Sequence, residues 1–552
     1  MTEAATSQVF VNLLDQYYQA WFRFHPEEAV QLGVEGYATL LRPYDDNQIG
    51  ALISLNEKIL SSLDELDFGQ LSEQQQIDYM LLDNAASLEL HELLERDWRY
   101  RSPQQYFPFN ALHQLLTHPV MNFHAALKSR LEQVPDYLRG ARSMLRNHSG
   151  TVPASWLKQA IEQGKSGSEF VRSLPHHPVV QKQLQNTNSL QPLADQASSA
   201  IDEFTHFLTT ELHPQQDDFS CGDTHFETLL LRQHFLDVSA EQLHRFGTEL
   251  FEQTQQQLLE VCRRIRGDDN VQQCLADIRE DCPEYDPDRL LDAYRKGMRA
   301  ALDFIRQHEL VSVPETQALK VIATPEYLRS EIPFAAYEPP SCNDPMQQGY
   351  YYVTPPRSEG HMLEHNWTSI NITCVHEAFP GHHLQFVTAN TRADDSLPRQ
   401  LHASSTLYEG WAMYCEELML EQGFLKRPEH EFMVLRDRLW RALRVILDVE
   451  LHTRGLGVDA AAQRMCKALG FAIDEARADI NWYTHMPTVP LGYATGWALI
   501  RALREQLSQQ PDFDLEAFHD QLLSLGSCAL PLVIRHEFGE ATWDQVKRHI
   551  FK

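Results

Sequence analysis

The sequence predicts a mainly α-helical protein with a small β element set immediately before a metal-binding helix. Apolar residues recur every three or four positions through roughly the first 310 residues, which is the helical period. A short β-branched and aromatic interlude follows Val313-Pro314. Directly after it, the stretch from Thr373 to Gln385 sets three imidazoles and a carboxylate close together, the density expected where a protein holds a divalent ion. The chain of 552 residues divides in this reading into a helical region, 1–312, that shapes one wall of a cleft, and a metal-binding catalytic region, 313–552, continuous with it.

The first element carries Phe10, Leu13, Leu14, Tyr17, Tyr18, Trp21 and Phe24 on one stripe, so it reads as an amphipathic helix ended near His25-Pro26. Similar periods run through Ile77–Trp98, Val120–Leu145 and Leu193–Leu212, parted by joints such as Asn147-His148-Ser149-Gly150 and His176-His177-Pro178. Two further helices are expected over His225–Leu236 and Ala240–Arg266, the second opened by a capping box of Ser239 and Gln242. Pro287–His308 continues the series. Beyond it, Leu319–Ala323 reads as a short strand, Pro333–Pro345 as a loop, and Gly349–Pro356 as an aromatic strand stopped by prolines. An exposed edge there would pair with an extended peptide, with Tyr351 and Tyr352 as substrate-binding residues; an aromatic strand packed on the helices is the other reading.

The metal motif departs from the pattern H-E-x-x-H, in which two histidines four apart grip one ion and the glutamate activates water. The residue four after His376 is Pro380, which lacks an N–H and cannot complete the helical bond back to His376. On an unbroken helix His382 would sit roughly 240° around from His376, and His383 roughly 20° off its face but about 10.5 Å further along. A widened turn at Pro380-Gly381 would bring His382 round to join His376, with Gly381 permitting close backbone approach; His383 is the alternative ligand. Glu377 is the expected general base.

A catalytic zinc takes three protein ligands and keeps one position open. The third is expected from Glu409, a charged residue among apolar neighbours in Leu407-Tyr408-Glu409-Gly410-Trp411, whereas Glu416 and Glu417 read as a solvated face. Arg444, Asp448 and His452 recur every four residues and share one helical face, either as a solvent-facing ion-pair ladder or as a set that orients a ligand or clamps a substrate carboxylate. Tyr493 and His485, beside glycine and proline breaks, are candidate donors to the oxyanion of a tetrahedral intermediate. Two other histidine patterns carry less. His361-Met362-Leu363-Glu364-His365 spells an inverted zinc motif without a partner, and His536-Glu537-Phe538-Gly539-Glu540 ends in glutamate where histidine is required.

Composition removes several classes. Lysine and arginine number 47 against 77 acidic residues, a formal charge of −30 with no basic run, so nucleic acid is not an expected partner. The residues from Met1 to Gln8 show neither a basic nor an apolar export region, and no segment approaches the ~20 apolar residues of a membrane span, so a cytoplasmic location without membrane contact is expected. Nine cysteines without C-x-x-C pairs fit reduced thiols, with Cys374 and Cys415 as small core residues. Oligomeric state is not legible.

Taken together, His25-Pro26 with Leu32-Gly33, Gly349-Tyr350-Tyr351-Tyr352-Val353, His376-Glu377-Ala378-Phe379-Pro380-Gly381-His382-His383-Leu384-Gln385, Tyr408-Glu409-Gly410-Trp411-Ala412 and Tyr493-Ala494-Thr495-Gly496 resemble the bacterial domain-of-unknown-function family 885 over most of the chain. That family is similar to the helical gluzincin peptidases of the thimet oligopeptidase and carboxypeptidase Taq groups. The resemblance implies a zincin-like architecture with a deep channel, His376, His382 and Glu409 as ligands, and Glu377 as base. The expectation is a zinc-dependent hydrolase of peptide bonds in short peptides, with other divalent first-row metals as alternatives. The alternatives in function are a metal-dependent hydrolase of another amide or an ester, or a non-catalytic binding protein.

Overall fold

A computed structural model describes residues 3–184, 187–214, 216–325, 329, 332, 334–392 and 396–552. Met1, Thr2 and Pro333, the first residue of the expected loop, lie outside them.

Two compact units emerge, one of residues 1–219 with 341–343, the other of 220–340 with 344–552. The first is helical, with α1 (Glu3–Trp21), α2 (Pro26–Leu32), α3 (Asp46–Asp64), α4 (Glu73–Glu95), α5 (Phe109–Thr117), α6 (Phe123–Arg146), α7 (Ala154–Ser173), α8 (Pro178–Gln183) and α9 (Gln191–Thr210). Its first helix stops at Trp21 because Pro26 opens α2 from the first-turn position that tolerates a missing N–H. Within this unit α7 and α6 pack on α9, and α3 packs on α4.

The second unit opens with α10 (Asp223–His234), α11 (Ala240–Arg266), α12 (Val271–Glu280) and α13 (Pro287–Gln307). The expected capping box of α11 is present, with Gln242 N–H donating to Ser239 Oγ at 3.2 Å and Ser239 N–H to Gln242 Oε1 at 3.1 Å. Three strands follow, β1 (Ala318–Ala323), β2 (Ala335–Glu338) and β3 (Gln348–Val353), in the order β1-β3-β2. β1 runs parallel to β3, with Val321 opposite Tyr351, and β2 runs antiparallel to it, with Tyr337 opposite Tyr351. Two expectations need correction here. Part of the Pro333–Pro345 stretch is a strand, made by pairing with β3 rather than by local propensity. Its presence makes Gly349–Val353 the central strand, so no edge is exposed there, and Tyr351 and Tyr352 are core residues at 0% and 4% exposure. Tyr351 packs edge-on against the Tyr294 ring, with centroids 5.6 Å apart.

The remaining helices are α14 (Glu359–Met362), α15 (Trp367–Glu377), α16 (His382–Arg392), α17 (Leu397–Leu401), α18 (Ser405–Glu421), α19 (Pro428–Thr453), α20 (Val458–Leu469), α21 (Ile473–His485), α22 (Gly492–Leu507), α23 (Leu515–Leu522), α24 (Leu530–Phe538) and α25 (Glu540–Ile550). α11 packs along α19 and α18 along α22, while α15 touches both α18 and α19. Cys374 and Cys415 are fully buried free thiols. No described helix is long and apolar enough to cross a membrane.

Buried histidines brace this unit. His234 bridges Ser404 Oγ at 2.8 Å and Thr488 Oγ1 at 3.1 Å, and His519 bridges the Tyr414 hydroxyl at 2.8 Å and Leu310 O at 2.6 Å. Burial pushes both imidazoles down to about 4. Their folded-state value lies below the unfolded one near 6.5, so the folded chain binds fewer protons and loses stability as pH falls from 6.5 towards 4. Each histidine contributes about 3 kcal/mol to that loss. Melting temperature followed across this window should fall steeply; a flat profile would contradict the arrangement.

Candidate metal centre

α15 begins at an Asn366 cap, whose side chain accepts the Ser369 N–H at 2.9 Å, and ends on His376-Glu377. The backbone then widens. Phe379 N–H reaches Cys374 O at 3.1 Å, Gly381 N–H reaches Val375 O at 3.0 Å, and Leu384 N–H reaches Ala378 O at 3.3 Å, spans of five and six residues. The expected wide turn is therefore present, but as a break between two helices rather than a bulge within one, with Phe379-Pro380 in cis. Gly381 is required there: a Cβ would lie 1.8 Å from His376 O and 2.4 Å from Val375 O. Pro380 O accepts the Trp411 indole N–H at 2.7 Å, tying the joint to α18.

The result is a cluster of His376, His382 and Glu409, whose candidate ligand atoms all lie within 4.8 Å of one another. Glu409 Oε2 is 3.3 Å from His382 Nε2 and 3.8 Å from His376 Nε2. That oxygen is buried with no aligned hydrogen-bond partner, an expensive condition for a carboxylate unless a cation supplies its missing interaction. The two imidazole side chains keep 10% exposure and the carboxylate 15%, so the cluster is not fully sealed from solvent. Two Nε2 atoms and one carboxylate oxygen are the donor types with which a catalytic zinc site takes three protein ligands and keeps one position open.

His383 turns the other way. Its Nδ1 lies 3.1 Å from the Tyr337 hydroxyl and its Nε2 2.9 Å from Gln317 Oε1, while a Cβ on Gly349 would meet its ring at 2.9 Å. It ties α16 to β2 and to the residue just before β1, and it lies outside the three-residue cluster.

Glu409 is placed by a glycine crossing. Gly410 of α18 lies against Gly496 of α22, where a Cβ on Gly410 would come within 2.5 Å of Gly496 Cα. Tyr493, one turn before Gly496, thereby comes beside Glu409 and hydrogen-bonds its carboxylate. Arg444 lies 4.6 Å from the Tyr493 ring centroid and donates to the Tyr483 hydroxyl at 2.9 Å and Asp479 at 3.2 Å. Asp448 accepts the Thr488 N–H at 3.1 Å, and His452 reaches Tyr483 O at 3.0 Å. All three are buried, so they are not a solvent-facing ladder; Asp448 and His452 brace the segment leading to α22 rather than the ligands. His485 closes α21, half-buried and outside the three-residue cluster.

One functional residue escaped the sequence reading. Glu416, expected on a solvated face, is 2% exposed, and its Oε1 accepts from His376 Nδ1 at 2.7 Å. The available signal was its spacing: seven residues after Glu409 is two helical turns, within about 20° of the same face. Glu417 is also mostly covered, facing Arg438 at 2.7 Å and the Trp497 indole at 2.6 Å. Of the two other motifs, His361 is exposed and helix α14 ends at Met362, before the second half of its pattern. His365 is buried under Tyr294, whose hydroxyl is 2.9 Å away, and His536 pairs with its neighbour Glu537 at 3.0 Å.

The fields in the cluster are strong. Burial pushes Glu377 up to about 7, opposed by His382, Arg441 and the Tyr337 N–H. Burial, then His382 and Arg441, hold His376 well below its ordinary value, so it stays neutral. Burial would raise Glu409, but His382, His376 and the Tyr493 hydroxyl outweigh it and hold the carboxyl at about 2. Burial alone draws His383 down to about 3.

The fold recurs in a Shewanella oneidensis protein described as a "putative lipoprotein of unknown function", with a TM-score of 0.77 at 21% identity, covering 95% of this chain and 98% of that one. A Colwellia psychrerythraea protein, described as a "putative lipoprotein", gives a TM-score of 0.79 at 18% identity, covering 98% of this chain and 99% of that one. No curated protein sequence matches. The family model for bacterial proteins of unknown function, DUF885, matches residues 26–536, which spans the chain from α2 through the sheet, the cluster and the glycine crossing, and the chain belongs to that family.

Proposed function

We propose that the protein is a zinc-dependent hydrolase of peptide bonds in short peptides, a relative of the gluzincin peptidases whose helix-lined channel admits unfolded chains only. The observation that supports this most is the convergence of His376, His382 and Glu409 with Glu377 next in sequence to the first ligand. When bound, a divalent ion there supplies Lewis acidity to the scissile carbonyl and to a water. His376, His382 and Glu409 hold it. Glu377, partly exposed at the end of α15, takes the proton of the attacking water and delivers it to the departing amine. Its raised affinity for a proton suits a group that must both accept and release one near neutral pH.

An extended substrate would find main-chain partners on β2, the strand of the sheet that touches α15, rather than on β3. A cytoplasmic location belongs to this proposal, and cell fractionation tests it.

The test is turnover of a mixed library of short peptides beside non-peptide amides and esters. Hydrolysis of peptides, abolished by a chelator and restored by zinc, is the expected result. Turnover of the other amides or esters alone would reassign the substrate, and peptide binding without turnover would make the protein a binder.

A further inference from the structure

His376 is held from two sides by one helix. Glu409 of α18 faces its Nε2, and two turns later Glu416 accepts from its Nδ1 at 2.7 Å, with the Glu416 side chain only 3% exposed. An ionised carboxylate is acceptor-only, so against it Nδ1 carries the proton and the Nε2 lone pair is left directed at the cluster. Behind Glu416 stands a buried charge chain on α19. Arg441 Nη2 is 3.8 Å from the same Glu416 Oε1, Arg441 Nη1 is 3.5 Å from Asp437 Oδ1, and Arg436 Nη1 is 3.4 Å from that oxygen. A carboxylate this deep keeps its charge only where cations offset the lost hydration.

We propose that Glu416, with the Arg441 guanidinium behind it, is the positioning residue of the metal centre: it fixes the tautomer and ring orientation of His376 and so sets the strength of metal binding. The proposal rests on the reading of His376, His382 and Glu409 as ligands. It assigns a role to a charge cluster that touches neither substrate nor metal, and it explains why α18 carries two carboxylates seven residues apart.

A purely structural role would differ in what it moves. If Glu416 only ties α18 to α15, its loss lowers the melting temperature and leaves metal affinity in the folded protein unchanged. If it positions His376, the affinity itself falls, because outer partners of ligating histidines typically contribute about 10- to 100-fold.

The experiment is competition for zinc between a chromophoric chelator and the full chain, on the parent protein, E416Q, R441M, the double variant, and E417Q as control, with melting temperature recorded beside each. E416Q keeps the shape and removes the charge. The expected result is zinc affinity about 10- to 100-fold weaker in E416Q. R441M should show a smaller loss, and the double variant no more than E416Q, because Arg441 acts through Glu416. E417Q, whose carboxylate faces Arg438 and Trp497, should bind zinc as the parent does. If E416Q does not fold, R441M and R441K make the same comparison, with R441K recovering part of the affinity. A parent that binds zinc together with E416Q of affinity within about twofold of it overturns this proposal and leaves the metal reading standing. A parent that binds no zinc overturns both.

Discussion

Glu377→Gln should abolish most hydrolysis while leaving the metal and the fold in place. Glutamine matches the shape of glutamate but cannot accept the proton of the attacking water, and general-base catalysis of this kind contributes about 10²- to 10⁴-fold. Glu377 is not among the three converging ligands, so zinc content should not change. Tyr337 and α15 frame the side chain in the same way for either residue, and the melting temperature should hold or rise, since burial disfavours the charged carboxylate. Steady-state rates on the best peptide of the library, with zinc measured on the same sample, check this. Unchanged hydrolysis in Glu377→Gln would remove the residue from the mechanism.

The second large effect is expected at Gly496. Its helix α22 would gain from alanine by intrinsic propensity, by about 1 kcal/mol. Packing opposes that gain, because a Cβ there would lie 1.9 Å from Thr406 O and 2.7 Å from Gly410 Cα, both parts of α18 that cannot yield without moving the helix. Overpacking against a rigid backbone costs about 1–3 kcal/mol and can exceed it. Packing wins. Gly496→Ala should lower the melting temperature and, by shifting α18, weaken zinc binding through Glu409. A variant as stable as the parent would show that the Gly410–Gly496 contact does not set the crossing.

Much of the second unit was legible because its helices announce themselves locally. α11 has a capping box, a long apolar stripe and Gly267 in left-handed conformation after its last turn, and its bounds agree with the periodic pattern. The helix break at Pro380 was legible for a similar reason, since a missing N–H is a property of one residue. What escaped depends on partners far away in sequence. β2 is four residues long and exists through β3, so Ala335–Glu338 carries no period of its own. The direction of His383 is set by Tyr337, Gln317 and the space left at Gly349. Glu416 and Glu417 look like a wet face in isolation, but α15, α19 and α22 cover α18, and a helix enclosed on several sides has no solvent face to read. The same holds for Arg444, Asp448 and His452, whose spacing alone cannot separate a surface ladder from buried braces.

The most direct measurement is zinc content by plasma mass spectrometry on chelator-washed, zinc-resupplied protein, with His382→Ala, Glu409→Ala and His383→Ala beside the parent. The geometry predicts one zinc per chain in the parent and in His383→Ala, whose ring points into the sheet, and its loss from the other two variants. A parent protein without stoichiometric metal, or one that loses its metal in His383→Ala and keeps it in His382→Ala, would contradict the site described above.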